Sequence, residues 1–232
     1  MHKRTKVIIS IIGLISLALT IVGFNTFSVK RTPNEKKYIH NDTSINTNDP
    51  REVVGAKTYV FVGVVEDTYD YYTTKTLRKH PQIIHDYEMS FTECVITVVK
   101  NIKGELEENS SFSFYKVGGI TEDGQAIELY ENDLIPEKGK YYIFTGIAHK
   151  DGTLTGGGQN GTIELEEGVN NKTLSESTTY NAYIKAYKEQ IINNTANRIE
   201  YVAKNDKRYE NGEYNLELYR TQEAAINNAK FD

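Results

Sequence analysis

A mainly β fold is predicted by this sequence: a small antiparallel β-barrel, followed by one amphipathic helix and preceded by one transmembrane helix. Three observations predict it. β-Branched and aromatic runs alternate with glycine-bearing turns from Thr58 to Leu165, the punctuation of a series of short strands. The apolar residues then fall at helical spacing after Ser177, as on a helix with one buried face. Near the start, Val7 to Phe24 is apolar and carries no charge. A composition with 17 Tyr and no Trp, rich in Asn and Thr, suits strands and turns better than a helical bundle. Short antiparallel strands must hide their edges, so a closed or partly open barrel fits better than a flat sheet.

The 232 residues leave room for one domain of ordinary size with appendages. A formal net charge of -5 and a pI near 5.6 argue against a nucleic-acid partner, because neutralising phosphates requires a basic face. Cys94 is the sole cysteine. No intramolecular disulfide can form, and no cysteine cluster can hold zinc or iron.

Residues 1–6 carry Lys3, Arg4 and Lys6 and read as a basic cytoplasmic head. Residues 7–24 read as a transmembrane anchor, at the lower limit of about 18 residues for spanning a bilayer. A cleaved signal peptide, which would release the domain, is the rival reading. Retention is favoured because no Ala-x-Ala site closes the run, Thr26-Phe27-Ser28 being the nearest approach. Lys30, Arg31, Lys36 and Lys37 make the far side basic as well, so charge counting does not fix the orientation. A short head has nothing to do outside, which places the N-terminus in the cytoplasm and the main domain outside the cell.

Residues 25–50 are polar and unpatterned and read as a flexible linker. The barrel is expected over 51–170. Its first strand begins near Thr58, where Tyr59 to Val65 suits a central position and Gly63 marks a bulge or a close approach. Glu66 to Tyr87 loses the pattern and reads as a long excursion. A second strand over Glu88–Lys100 puts Cys94, Ile96 and Val98 on one parity, with a turn at Asn101–Gly104. Ser110–Val117, Ala126–Leu129, Tyr141–Ala148, Leu154 and Gly161–Leu165 supply further strands, and Asp151-Gly152 is the strongest hairpin signal.

Residues 171–203 are expected to pack a helix on the barrel. Ser177, Thr178 or Thr179 would cap it, and Tyr180, Tyr183, Ile184, Tyr187 and Ile191 form its stripe. Residues 204–232 read as a polar tail, frayed or disordered.

Candidate chemistry is thin. Gly156 to Gly161 satisfies G-x-G-x-x-G, but a strand rather than a helix follows, so the segment reads as a flexible loop and not a dinucleotide site. His80 and His85, with Asp86 and Glu88 nearby, lack the i, i+4 spacing of a helical metal pair, and Pro81 opposes a helix. Cys94, inside an apolar strand, reads as a small core hydrophobe rather than a nucleophile. The carboxylates of Glu105–Glu108 and Glu164–Glu167 flank turns and read as solvated charge. No catalytic, metal or cofactor residues are assigned. Tyr69, Tyr71, Tyr72, His80 and His85, gathered in the excursion, are the candidates for ligand contact.

Three phrases carry a resemblance: Tyr59–Val65, Ile96–Gly104 and Lys138–Phe144. Together they resemble the netrin-module and metalloprotease-inhibitor type of OB-like barrel. They are more similar still to a group of membrane-anchored proteins of Gram-positive bacteria, in which a helix with a segment similar to Tyr183–Lys188 follows the barrel. The resemblance covers roughly Lys57 to Ile191 and implies an OB-like fold at a Gram-positive cell surface, a setting that suits a domain without disulfides. The animal inhibitors act through a disulfide-bonded N-terminal cysteine. Nothing here matches it, so that mechanism is not carried over. The function expected is non-catalytic binding of a protein, peptide or envelope polymer. An extracytoplasmic hydrolase acting on envelope material, or an inhibitor-like module working through loops, are the alternatives.

Overall fold

A computed structural model of the chain describes residues 33, 35–39, 45–72, 90–192 and 200–209, with backbone alone at 70–72. The expected head and anchor, His80, His85 and the tail beyond 209 lie outside the described residues. Among the described residues no helix is long and apolar enough to cross a membrane.

The domain is mainly β, with a closed five-stranded barrel and two α-helices among the described residues. In chain order the elements are β1 (Glu35–Ile39), α1 (Pro50–Ala56), β2 (Tyr59–Tyr72), β3 (Ser90–Lys103), β4 (Ser111–Val117), β5 (Gly119–Ile120), β6 (Ala126–Tyr130), β7 (Tyr141–Ala148), β8 (Leu154–Gly156), β9 (Thr162–Glu164) and α2 (Thr178–Lys188). The barrel runs β2-β3-β4-β8-β7 and closes where β7 pairs with β2. The expected all-antiparallel pairing is corrected at one seam. β4 and β8 run parallel, with Tyr115 opposite Thr155 and Lys116 opposite Gly156. After the hairpin at Asp151-Gly152, where Gly152 takes a φ of 79°, β8 fills the gap between β7 and β4 and meets β4 running the same way.

β2 is apolar at successive positions because both of its faces are covered. Tyr59, Phe61 and Val65 point inward with Cys94, Ile96, Val98, Phe114, Tyr142 and Phe144. Phe61 stacks on Phe144 with ring centroids 5.6 Å apart, and Phe114 meets Phe144 edge-on at 5.3 Å. Val60, Val62 and Ile143 face outward onto Val54 of α1 and Tyr183 and Ala186 of α2. Gly63 is both a bulge and a close approach. The register shifts between Val62 and Gly63, and a methyl group there would meet Ile96 Cγ2 at 2.3 Å.

Several expectations change. Glu66–Tyr72 belongs to β2 rather than to a loop. Its apolar pattern is lost because β7 covers only Tyr59–Val64, so the rest of β2 pairs with β3 as a ribbon running past that cover. Ala126–Tyr130 is a strand but not a barrel strand, and lies with β1 and β5 in a separate three-stranded sheet. β1 falls inside the expected linker. It pairs parallel to β6 through its backbone and exposes four of its five residues, so it has no apolar pattern to announce it. Helix α1 also lies at the edge of the expected linker. Asp49 caps it by accepting from Arg51 N, and Pro50 occupies its first turn, a start signal present in the sequence.

Residues 200–209 are not a frayed tail. Val202 and Ala203 are buried, and the backbone is bonded to the barrel loops at Lys204 N to Gly152 O, Glu107 N to Asn205 O and Lys207 N to Glu105 O. The hydroxyl of Tyr59 accepts from Ala203 N at 3.0 Å and donates to Asp206 Oδ2 at 2.8 Å.

Candidate functional site

One end of the barrel holds its most unusual chemistry. On β4 the inward parity that buries Phe114 also buries Lys116 two residues later. A cation there needs a partner, because an isolated charge in an apolar interior is prohibitively costly. The partner comes from the turn after β6, where Asn132 adopts a φ of 58° and Asp133 follows. Lys116 Nζ donates to Asp133 Oδ2 at 2.5 Å and to Val117 O at 3.1 Å. Both side chains are wholly buried, at 0% exposure. Burial pushes the Asp133 carboxyl above its usual range, against the pull of the Lys116 charge.

Neighbouring polar groups are satisfied by backbone. Thr92 Oγ1 donates to Gly118 O at 2.8 Å, and Thr145 Oγ1 donates to Gly161 O at 3.0 Å. Two buried atoms differ: Asp133 Oδ1 and Thr162 Oγ1 have no hydrogen-bond partner. Thr162, on β9, lies near enough to Asp133 to favour its charged form while remaining beyond a full hydrogen bond. Among the described residues no three His, Cys, Asp or Glu side chains converge as metal ligands.

The residues nominated from the sequence are elsewhere. Tyr69 lies on the β2–β3 ribbon, is 53% exposed and sits opposite Glu93. Tyr71 and Tyr72 continue the strand opposite Phe91 and Ser90. The three tyrosines therefore share one stretch of ribbon, and across β3 its Asp70 is in register with Thr92 and Lys116.

Cys94 is fully buried, and burial pushes its thiol up to about 12, which suits the core and not nucleophilic chemistry. The glycine segment leads from β8 into β9 and not into a helix. It is tied down rather than flexible, since Thr47 Oγ1 donates to Gln159 Oε1 at 2.9 Å and Asn160 Nδ2 to Thr47 O at 2.9 Å.

On α2, Ser177 is the cap, accepting from Tyr180 N. Tyr183 turns inward and burial pushes its hydroxyl up to about 12. Tyr187 leaves the expected stripe at 38% exposure, and Ala186 is buried in its place. Glu166 is not idle solvated charge. Its carboxylate accepts from Ser177 Oγ and from Thr179 N and Oγ1, and these bonds, Ser177's first, hold it at about 2.

The Lys116–Asp133 pair was missed in the sequence. Its one signal is the parity of Lys116 with Phe112 and Phe114; nothing marks Asp133 among the turn residues. No family model matches the chain, and no curated protein matches it.

Proposed function

We propose that the chain is a membrane-tethered, extracytoplasmic binding module in which an OB-like barrel presents the β2–β3 ribbon to a protein, peptide or envelope polymer without catalysing a reaction. The tether is inferred from the apolar run Val7–Phe24 behind a basic head. The OB-like reading is supported by the strand order β2-β3-β4-β8-β7 closing onto β2, with its single parallel pair, a five-stranded Greek-key connection.

The observation that carries the functional reading is Tyr69, a large aromatic left exposed on a ribbon otherwise held in regular pairing. Exposed tyrosine on a rigid strand offers contact area at low entropic cost, which is why aromatic residues concentrate at binding surfaces. The ribbon also carries Asp67, ion-paired with Lys138, and Glu66 and Glu93, which accept from Thr97 and Ser113, so a partner rich in hydroxyl groups fits it best. The test is a photo-activatable phenylalanine placed at position 69 of the full-length chain in intact cells, with Lys172, exposed on a far loop, as the control position. A defined adduct from position 69 and none from 172 is expected. Equal labelling from both positions would remove the ribbon as the contact surface, and no adduct from either would remove the binding-module reading.

A further inference from the structure

Lys116 and Asp133 are placed as reactants as much as an ion pair. The amine nitrogen lies 2.5 Å from Asp133 Oδ2, and so stands beside the carboxyl carbon. Neither side chain is exposed to water, the species that would hydrolyse a product. Asp133 Oδ1 completes no hydrogen bond, although the Leu134 amide and the Thr162 hydroxyl favour the charged form, so the carboxylate lacks the full set of donors that normally holds a buried carboxylate in that form.

We propose that Lys116 Nζ and Asp133 Cγ become joined by an intramolecular amide bond, a covalent staple across one end of the barrel. The step needs no co-reactant. A proton crosses the existing hydrogen bond from the ammonium to Oδ2, leaving a neutral amine and a neutral carboxylic acid. Burial raises the affinity of the Asp133 carboxyl for that proton. The nitrogen lone pair then attacks Cγ. The Cγ–Oδ2 bond breaks, and Oδ2 departs as water, carrying the proton it received and one more from the nitrogen. Oδ1 remains as the amide oxygen, with the Thr162 hydroxyl beside it. The one hydrogen left on nitrogen is placed to donate to Val117 O, which Lys116 Nζ already contacts at 3.1 Å.

The staple has a structural logic. Lys116 and Asp133 are 17 residues apart, and β5 and β6 lie wholly between them. The bond would therefore clamp the base of the three-stranded sheet to β4 in a domain whose one cysteine, Cys94, is committed to the core. This goes beyond the binding role proposed above and does not depend on it.

The experiment is peptide mass spectrometry of the full-length chain, purified, denatured and digested with trypsin, beside Lys116→Met and Asp133→Asn. In the wild type we expect no cleavage after Lys116 and a looped peptide running from Gly104 to Lys138, bridged within itself from Lys116 to Asp133 and lighter than the linear form of the same residues by one water. Asp133→Asn should yield the identical looped peptide by losing ammonia instead. Lys116→Met should yield linear peptides only, which separates the staple from cyclisation of Asp133 on its own backbone. Should Lys116→Met fail to fold, fragmentation of the wild-type looped peptide locates the bond unaided. Linear wild-type peptides of unreduced mass, cut after Lys116, would overturn the proposal and leave an ordinary buried ion pair.

Discussion

Cys94 and Glu166 show how position within an element decides the chemistry of a single side chain. Cys94 shares the inward face of β3 with Ile96 and Val98, so its thiolate is suppressed by burial and its reagents are excluded. Native protein should resist alkylation by iodoacetamide and label fully only once unfolded; rapid labelling of the native state would contradict the core assignment. Glu166 lies at the surface, yet it acts on helix α2 by accepting from Ser177 and Thr179. Its folded pKa, about 2, lies below the ordinary carboxylate value. The stability it contributes is therefore complete above the ordinary range and is lost as pH falls through the folded value. Glu166→Gln should be less stable than wild type at neutral pH, with the difference shrinking below about pH 4.5 and vanishing near pH 2. Ser177→Ala, which removes the cap itself, should cost about 1 kcal/mol in denaturant titration. Because both residues serve the same helix end, the double variant should fall short of the sum of the two single effects.

At the scale of elements, the seam between β4 and β8 leaves no room for a side chain at Gly156. A methyl group on Gly156 would meet Phe114 Cζ at 2.1 Å and Thr145 O at 2.4 Å, and Phe114 is already held edge-on against Phe61 and Phe144. Gly156→Ala should therefore cost about 1–3 kcal/mol as overpacking, read as a lower urea midpoint at constant m; an unchanged midpoint would mean that the seam is looser than its geometry. This seam also marks the boundary of what could be read in advance. Strands such as β3 and β4 were legible because one face is more deeply buried than the other, leaving an alternation in the sequence, and β7 because burial on both faces leaves a continuous apolar run. The hairpin at Asp151-Gly152 and the Ser177 cap were legible because their chemistry is local. The parallel pairing of β4 with β8 was not, since it depends on where two distant segments arrive. β1 was not either, because a strand held through its backbone and exposed on its side chains needs no apolar residue. The candidate ligand residues fared unevenly for the same reason. The tyrosine cluster was legible as composition, but a surplus of polar residues resembles a loop even where, over Glu66–Tyr72, it is paired strand. Asp133 acquires its significance only from Lys116.

For the molecule as a whole, the barrel is closed at one end by the chain that follows the helix. Residues 200–209 are polar in sequence, yet Val202, Ala203 and Asp206 are buried, and all three backbone bonds to the barrel loops come from Lys204, Asn205 and Lys207. Asp206 is the keystone of this closure. Burial pushes its carboxyl up, but Arg208 and Tyr59 hydrogen-bond to it and hold it below its ordinary value. Without the segment, the Tyr59 hydroxyl would exchange its bonds to Ala203 N and Asp206 for water, a net loss of about 1–3 kcal/mol for the two bonds. Exposing the surface that covers Val202 and Ala203 would add about 2 kcal/mol. The sum, roughly 3–5 kcal/mol, is a large share of the 5–15 kcal/mol by which domains are ordinarily stable. Truncation after Ile199 should therefore lower the thermal midpoint sharply or prevent folding, while Asp206→Ala, which leaves the apolar cover in place, should fold with a smaller loss. A truncated chain that melts with the full-length protein would show that the barrel closes unaided. If instead both variants follow the expected order, a domain that ends at the helix is incomplete, and any fragment used to seek its partner must extend through Tyr209.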